Sequence, residues 1–78
     1  MLRLKLYSTS HCHLCEQAES FLVNLANEYD IGWQIIEITE NNELYENYSL
    51  IIPVIKRLDN NVEISWPFTE VDIHAFIQ

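Results

Sequence analysis

Two cysteines, three residues apart, are the side chains of this sequence best suited to chemistry. Cys12 and Cys15 are the only cysteines among 78 residues, and His11 and His13 flank the first of them. A thiolate acts both as a nucleophile and as a metal ligand, so this spacing fits a redox pair or a metal clip. A purely structural bridge explains the spacing poorly, because closing so short a loop removes little entropy from the unfolded chain.

The elements around the cysteines follow from the periodicity of apolar residues. Residues 2–7 alternate apolar and polar side chains, which predicts a strand. From Cys12 onward, apolar residues recur at intervals of three and four, which predicts a helix that the segment YDIG closes. Cys15 lies along the inner side of the apolar stripe of this helix, whose members are Leu14, Ala18, Phe21, Leu22, Leu25 and Tyr29.

The second half of the sequence predicts three further strands and a final helix. Residues 33–38 are rich in β-branched and aromatic side chains and predict a buried strand. A weak helix or an irregular crossover follows, with Leu44, Tyr45 and Tyr48 packing inward. Residues 50–58 and 62–66 predict a hairpin around a turn at 59–61. Thr69 and Asp72 predict a capping box for the last helix, whose inner face is Val71, Ile73, Phe76 and Ile77.

This order of elements predicts a single α/β domain over residues 1–78. The β-α-β start requires a right-handed crossover between parallel strands, and the later hairpin adds antiparallel neighbours. We therefore expect a four-stranded mixed sheet with helices on both of its faces.

Cys12 is the expected nucleophile because it lies at a helix N-terminus. The unpaired N–H groups and the positive dipole end of a helix both favour the thiolate, and a protonated His11 or His13 would add to this effect. Cys15, one turn inward, is better shielded. It can resolve a mixed disulfide formed on Cys12.

The metal alternative uses the same cluster of side chains. Cys12, Cys15 and one of His11, His13 or His74 would supply three ligands. Structural zinc commonly has four protein ligands in two separated pairs, and the second pair is missing here. We therefore assign no metal ligands.

The charge of the chain limits its partners. Four basic and twelve acidic residues give a net charge of −8, which opposes binding to nucleic acid and to anionic membranes. Lys56 and Arg57 are adjacent basic residues. Their expected role is to balance the acidic charge of the chain, and contact with a bound anion is the alternative.

No segment has the length of a membrane span or the pattern of a secretory signal. We expect a cytoplasmic monomer whose partners are proteins or small molecules.

The sequence resembles the thioredoxin superfamily in its smallest form, the glutaredoxins. Two motifs carry the likeness: Cys12-His13-Leu14-Cys15 at the start of the first helix, and Ile52-Pro53-Val54 before the hairpin. The chain looks most like small bacterial glutaredoxin-like domains. The resemblance implies a minimal thioredoxin fold with the order βαβαββα.

The resemblance also implies roles for individual residues. Cys12 matches the exposed nucleophile, Cys15 the resolving thiol and Pro53 the cis-proline beside the CxxC motif. Ile52 then offers its backbone to an extended substrate. The implied substrate-binding residues are His13, Leu14, Ile52 and Pro53.

The implied function is thiol–disulfide exchange without a tightly bound cofactor. The partners are a protein disulfide or a reductase, with glutathione as a further co-substrate. Glutaredoxins usually carry a basic residue before CxxC and a Gly-Gly pair near the last helix. This sequence has Ser8–Ser10 and SWPFTEVD there, which favours a protein partner. One alternative is a redox-inert module that binds a partner through its acidic face or a groove at Trp66 and Phe68. Another is metal or iron–sulfur binding through the CxxC motif, because the resemblance also implies a cluster shared between two chains, as in some glutaredoxins.

Overall fold

Four strands and three helices follow one another in the computed structural model, which describes all residues from 1 to 78. Their order is β1 (Leu2–Ser8), α1 (His13–Ala26), β2 (Ile31–Glu37), α2 (Asn42–Tyr48), β3 (Val54–Arg57), β4 (Glu63–Ser65) and α3 (Glu70–Phe76), with a 3-10 turn at Ile38–Glu40 after β2. The predicted order βαβαββα is therefore confirmed.

The strands form one mixed sheet in the order β2-β1-β3-β4. β1 is parallel to β2 and antiparallel to β3, and β4 is antiparallel to β3. Leu4 at the middle of β1 pairs with Trp33 on one side and Arg57 on the other. This confirms the predicted α/β class and places the end of β1, which leads to the cysteines, inside the sheet.

Helices cover both faces of the sheet, but unequally. Leu4, Leu6 and Ile55 face α1 and α3 in a core of ten buried residues. Tyr7, Val54 and Ile38 form a smaller core on the opposite face, where Leu44 and Tyr48 of α2 pack. Alternate residues of β1 thus belong to different cores, as the two-residue period of a strand requires.

Two strand boundaries and the burial of one strand differ from the predicted ones. The YDIG segment is predicted to close the first helix, but α1 ends at Ala26. β2 begins at Ile31, within this segment, because Ile31 pairs with Leu2 of β1. β2 is also an edge strand, so Ile35 is 50% exposed rather than buried. β3 begins only at Val54, because the N–H groups of residues 51 and 52 bond back to the Tyr48 carbonyl in a turn.

The helix faces differ from the predicted ones at three residues. The buried side of α1 consists of Cys15, Ala18, Leu22 and Leu25. Leu14 lies off this stripe in the first turn and is 39% exposed. Tyr45 of α2 and Val71 of α3 also point to solvent, since the inward positions of these short helices are taken by Leu44, Tyr48 and Ile73.

Candidate redox site at the start of the first helix

Cys12 is the N-cap of α1. Its backbone is extended, with φ −97° and ψ 103°, and its Sγ accepts the N–H of Cys15 at 3.2 Å. The first N–H groups of a helix have no partner within the helix and carry partial positive charge. A sulfur that accepts one of these N–H groups is therefore best stabilised as a thiolate.

The two sulfurs are joined in a disulfide but are unequally exposed. The Cα atoms of Cys12 and Cys15 are 5.2 Å apart, within the usual range for a bridge. Cys15 is only 3% exposed, whereas Cys12 is half-buried. An approaching reactant therefore meets Cys12 first, and Cys15 is protected by the helix and the sheet.

The residues around Cys12 are open to solvent. His11 adopts a left-handed backbone with φ 59°, which turns the chain into the helix. His13 and Leu14 are exposed, and the Nδ1 atom of His13 lies 3.7 Å from Oε2 of the exposed Glu16. The predicted substrate-binding residues His13 and Leu14 thus stand on the surface beside the disulfide.

A cleft of about 210 Å³ reaches both cysteines. It lies between the loop after β1 and the first two turns of α1, and its floor includes Leu6 and Ile35. Glu19, one turn beyond Cys15, lines the same cleft and accepts the indole N–H of Trp33 at 3.1 Å. The disulfide is therefore accessible from a defined groove.

Glu37 holds the loop that precedes Cys12. One oxygen of its carboxylate accepts the N–H of Ser10 at 2.9 Å, and the other accepts the N–H and the hydroxyl of Thr39 at 3.2 and 3.0 Å. The nearby hydroxyl of Thr9 and these donors lower the pKa of Glu37 below its ordinary value. A charged carboxylate at the end of β2 thus links the loop to the sheet.

Ile52 and Pro53 lie at the same edge of the sheet as this loop. Val54 pairs with Tyr7, one residue before β1 ends, so the segment before β3 and the segment after β1 are neighbours. The Ile52–Pro53 bond is cis, as is Trp66–Pro67. The Ile52 N–H is bonded to the Tyr48 carbonyl at 3.1 Å, and the Ile52 carbonyl accepts no hydrogen bond, so only the carbonyl is free for an added strand.

The histidines do not join the cysteines in a metal-binding cluster. No group of three His, Cys, Asp or Glu side chains has the arrangement to hold a metal ion. His74 instead bonds to the Tyr29 hydroxyl, which lies beyond the C-terminal end of α1, whereas the cysteines lie at its start. Phe68, proposed for the groove of an interaction module, is buried in the main core at 5% exposure.

Sequence reasoning missed Glu37 and Glu19. The Glu37-Ile38-Thr39 stretch carries a local signal, because a carboxylate two residues before a threonine often caps a turn. The bond from Ser10 spans 27 residues and the bond from Trp33 to Glu19 spans 14, and neither leaves a pattern in the sequence.

The fold and the paired cysteines define a glutaredoxin-like member of the thioredoxin superfamily. The chain belongs to the glutaredoxin-like domain family (DUF836), whose model matches residues 3–78. Among proteins with curated descriptions, none matches the chain.

Several solved structures are similar to this chain in fold. The protein XcR50 from X. campestris is 30% identical, with a TM-score of 0.83 over 95% of this chain and 93% of its own. The protein Ne2328 from Nitrosomonas europaea is 25% identical, with a TM-score of 0.83 over 96% and 89%. A thioredoxin variant from Halobacterium salinarum, 19% identical, shares the fold with a TM-score of 0.71 over 97% and 71%. No helix of the chain has the length and hydropathy to cross a membrane.

Proposed function

We propose that this protein is a small thiol–disulfide oxidoreductase, with Cys12 as the nucleophile and Cys15 as the resolving thiol. The observation that carries the proposal is the asymmetry of the pair. Cys12 caps α1 and is accessible, while Cys15 is one turn inward and 3% exposed. An exchange catalyst needs this difference, because one sulfur must react with the substrate first and the other must then attack the mixed disulfide.

In the reducing direction, the Cys12 thiolate attacks one sulfur of a substrate disulfide. A bond forms between Cys12 Sγ and that sulfur, and the second substrate sulfur leaves as a thiolate that takes up a proton. Cys15 then loses its proton and attacks Cys12 Sγ. The first substrate sulfur leaves, the Cys12–Cys15 bridge forms, and the substrate has gained two electrons and two protons.

Regeneration of the dithiol requires a thiol reductant of the same two-electron class. Two glutathione molecules or one dithiol protein balance the step, and each would attack Cys12 because its sulfur is the more exposed one. The absence of a basic residue in Ser8–Ser10 favours the dithiol protein. The protein is proposed to act as a monomer in the cytoplasm, where cellular reductants keep such dithiols reduced.

The substrate is proposed to lie across Leu14 and the Ile52–Pro53 segment. Leu14, one residue before Cys15, is 39% exposed, which gives the rim of the disulfide an apolar side chain. The free Ile52 carbonyl can accept one N–H from an extended substrate chain. His13 completes this rim as an exposed polar neighbour of Cys12.

A trapping experiment tests the order of the two cysteines. Cys15→Ser and Cys12→Ser variants are mixed with a disulfide-bonded peptide, and the products are read by intact mass without reductant. We expect a stable mixed disulfide on Cys15→Ser and none on Cys12→Ser, because only Cys12 meets the peptide. Equal adducts on both variants, or no adduct on either, would contradict the proposal and favour a redox-inert binding module.

A further inference from the structure

The sheet face opposite α1 and α3 is covered by α2 only at one end. α2 packs against Tyr7 and Val54, near the edge that leads to the cysteines. On the same face, toward the other end of the sheet, β1 and β3 present Arg3, Lys5 and Lys56. The alternation of strand side chains fixes this, since Leu4, Leu6 and Ile55 point into the opposite core.

Three of the four basic residues of the chain therefore meet on one open surface. Lys5 and Lys56 are direct cross-strand partners, and Arg3 is two residues from Lys5 on the same strand. Directly opposed like charges destabilise a sheet. Lys5 has no acid opposite it on either neighbouring strand, where Gln34 and Lys56 are its partners, whereas Lys56 has Glu63 opposite it on β4.

These three cations have no ionic partner. Arg3, Lys5 and Lys56 take part in none of the ion pairs or side-chain hydrogen bonds of the structure, whose ion pairs join Met1 to Asp30, His13 to Glu16 and Arg57 to Asp59. The nearest acid in register is Glu63, opposite Lys56, and its carboxylate accepts the Tyr48 hydroxyl at 2.6 Å. Arg3 and Lys5 thus carry positive charge with no acid paired to them, while Lys56 lies between Lys5 and Glu63.

A groove continues this cationic surface. It has a volume of about 300 Å³, and Arg3 lines it together with Met1, Gly32, Gln34 and Leu58. The Met1 side chain lies directly against Gly32, where a Cβ would overlap it. The groove is of the size of a small-molecule site and is partly apolar.

We propose that this surface, defined by Arg3, Lys5, Lys56 and the adjoining groove, binds a small organic phosphate. The phosphate would lie against the three cations and its apolar body in the groove. A phosphate dianion offers three oxygens to three cationic groups, and the planar fork of arginine suits such oxygens. The proposal is independent of thiol–disulfide exchange, because the cysteines lie at the other end of the sheet.

The charge distribution favours a small ligand over a polyanion. The net charge is −8, so an extended acidic chain or a nucleic acid meets repulsion beyond the three cations. Charges farther away than about 10 Å are screened at physiological salt, so a compact anion responds mainly to the local cations. A ligand small enough to stay within this patch is therefore attracted by the local cations and is repelled little by the distant acidic residues.

Phenyl phosphate is the probe for the test. The oxidised protein, labelled with ¹⁵N, is titrated at pH 7.5 with phenyl phosphate, inorganic phosphate, benzoate and phenol, and the amide shifts are followed. We expect saturable shifts around Arg3, Lys5, Gly32 and Lys56 with phenyl phosphate, weaker binding of inorganic phosphate, and none of phenol. Equal affinity for benzoate would overturn the phosphate assignment, and the absence of saturable shifts on this face would overturn the site.

Matched charge variants make the test specific. Lys5→Gln and Lys56→Gln each lower the net charge by one, as does Gln17→Glu on the exposed side of α1. We expect about tenfold weaker binding of phenyl phosphate to each lysine variant, a loss of about 1.4 kcal/mol, and little change in Gln17→Glu. Equal weakening in all three variants would show a general charge effect and overturn the proposal.

Discussion

At the scale of single residues, one position sets the chemistry of the site. Cys12 is the cap of α1 and accepts the N–H of Cys15, so its sulfur lies where a helix offers unpaired donors. The neighbouring histidines are exposed, and His13 faces Glu16 rather than the sulfur. We therefore propose that the helix terminus, rather than a histidine, is the main source of stabilisation of the Cys12 thiolate.

The first prediction concerns the reactivity of the capping sulfur. In reduced Cys15→Ser, we expect Cys12 to alkylate with iodoacetamide at pH 6 at a rate close to its rate at pH 8.5, because the folded helix stabilises the thiolate. The control is the same variant in denaturant, where an ordinary thiol with a pKa of about 8.5 should react far more slowly at pH 6. The same steep pH dependence in the folded and the denatured variant would contradict the role of the helix terminus.

The second prediction concerns Glu37 and acid. Its pKa is lowered in the folded protein by the Thr9 hydroxyl and by the donors of residues 39 and 10. A lowered folded pKa gives stability that is present above the ordinary value of 4.5 and is lost as the pH falls through the folded pKa. We expect Glu37→Gln to be less stable than wild type at pH 7, with the difference shrinking in acid.

Denaturant unfolding between pH 2.5 and 7 measures this difference. Glu40→Gln is the matched control, because Glu40 is exposed three residues away and its carboxylate makes no hydrogen bond. A constant gap between Glu37→Gln and wild type over the whole range, or an equal gap in the control, would refute the assigned role.

At the scale of elements, local patterns predicted the kind of each element better than its limits. The capping box of α3 was visible in Thr69 and Asp72, and both of its hydrogen bonds are present. The stripe containing Ala18, Leu22 and Leu25 likewise placed the buried side of α1. In each case the interaction lies within four residues along the chain, so the sequence pattern carries it.

The errors arose where distant pairing decides the structure. Ile35 belongs to an apolar run, yet it is half exposed because β2 lies at the edge of the sheet. Leu50 belongs to another such run, yet it is 97% exposed in the turn that follows α2. The bond of Glu37 to Ser10 was also invisible, since nothing local marks which loop a strand end will meet.

The third prediction concerns the cap of α3. We expect Thr69→Ala to lower the free energy of unfolding by about 1 kcal/mol, the usual effect of removing an N-cap hydroxyl. Ile73 of α3 and Ile77, the C-cap residue of this helix, belong to the main core, so the loss should appear in the global transition. Val71→Ala in the same helix is the control, since Val71 is 76% exposed and should change stability little. Equal losses in the two variants, measured by urea unfolding, would argue against the cap.

At the scale of the whole molecule, stability depends on one main core of ten buried residues. The second core, with three, serves mainly to hold α2 against the sheet. A domain of this size has a free energy of unfolding at the low end of the usual 5–15 kcal/mol. Single changes in the main core should therefore shift the folded population strongly.

The fourth prediction compares two isoleucines. Ile73 is fully buried against the sheet, and Ile35 is half exposed at its edge. We expect Ile73→Ala to cost about 2–5 kcal/mol, as buried large-to-small changes do, and Ile35→Ala to cost much less. Thermal and urea unfolding followed by circular dichroism measure both. Similar losses in the two variants would contradict the assignment of the core to the α1 and α3 face.

The redox equilibrium of the Cys12–Cys15 pair decides whether these two thiols act as an exchange pair. The protein is equilibrated in graded glutathione buffers, quenched by alkylation, and its thiol content is read by intact mass. We predict a reversible two-electron transition with a midpoint between about −180 and −270 mV, where exchange catalysts of this kind lie. Two free thiols across the whole series, or a bridge that forms and cannot be reduced, would contradict thiol–disulfide exchange by this pair.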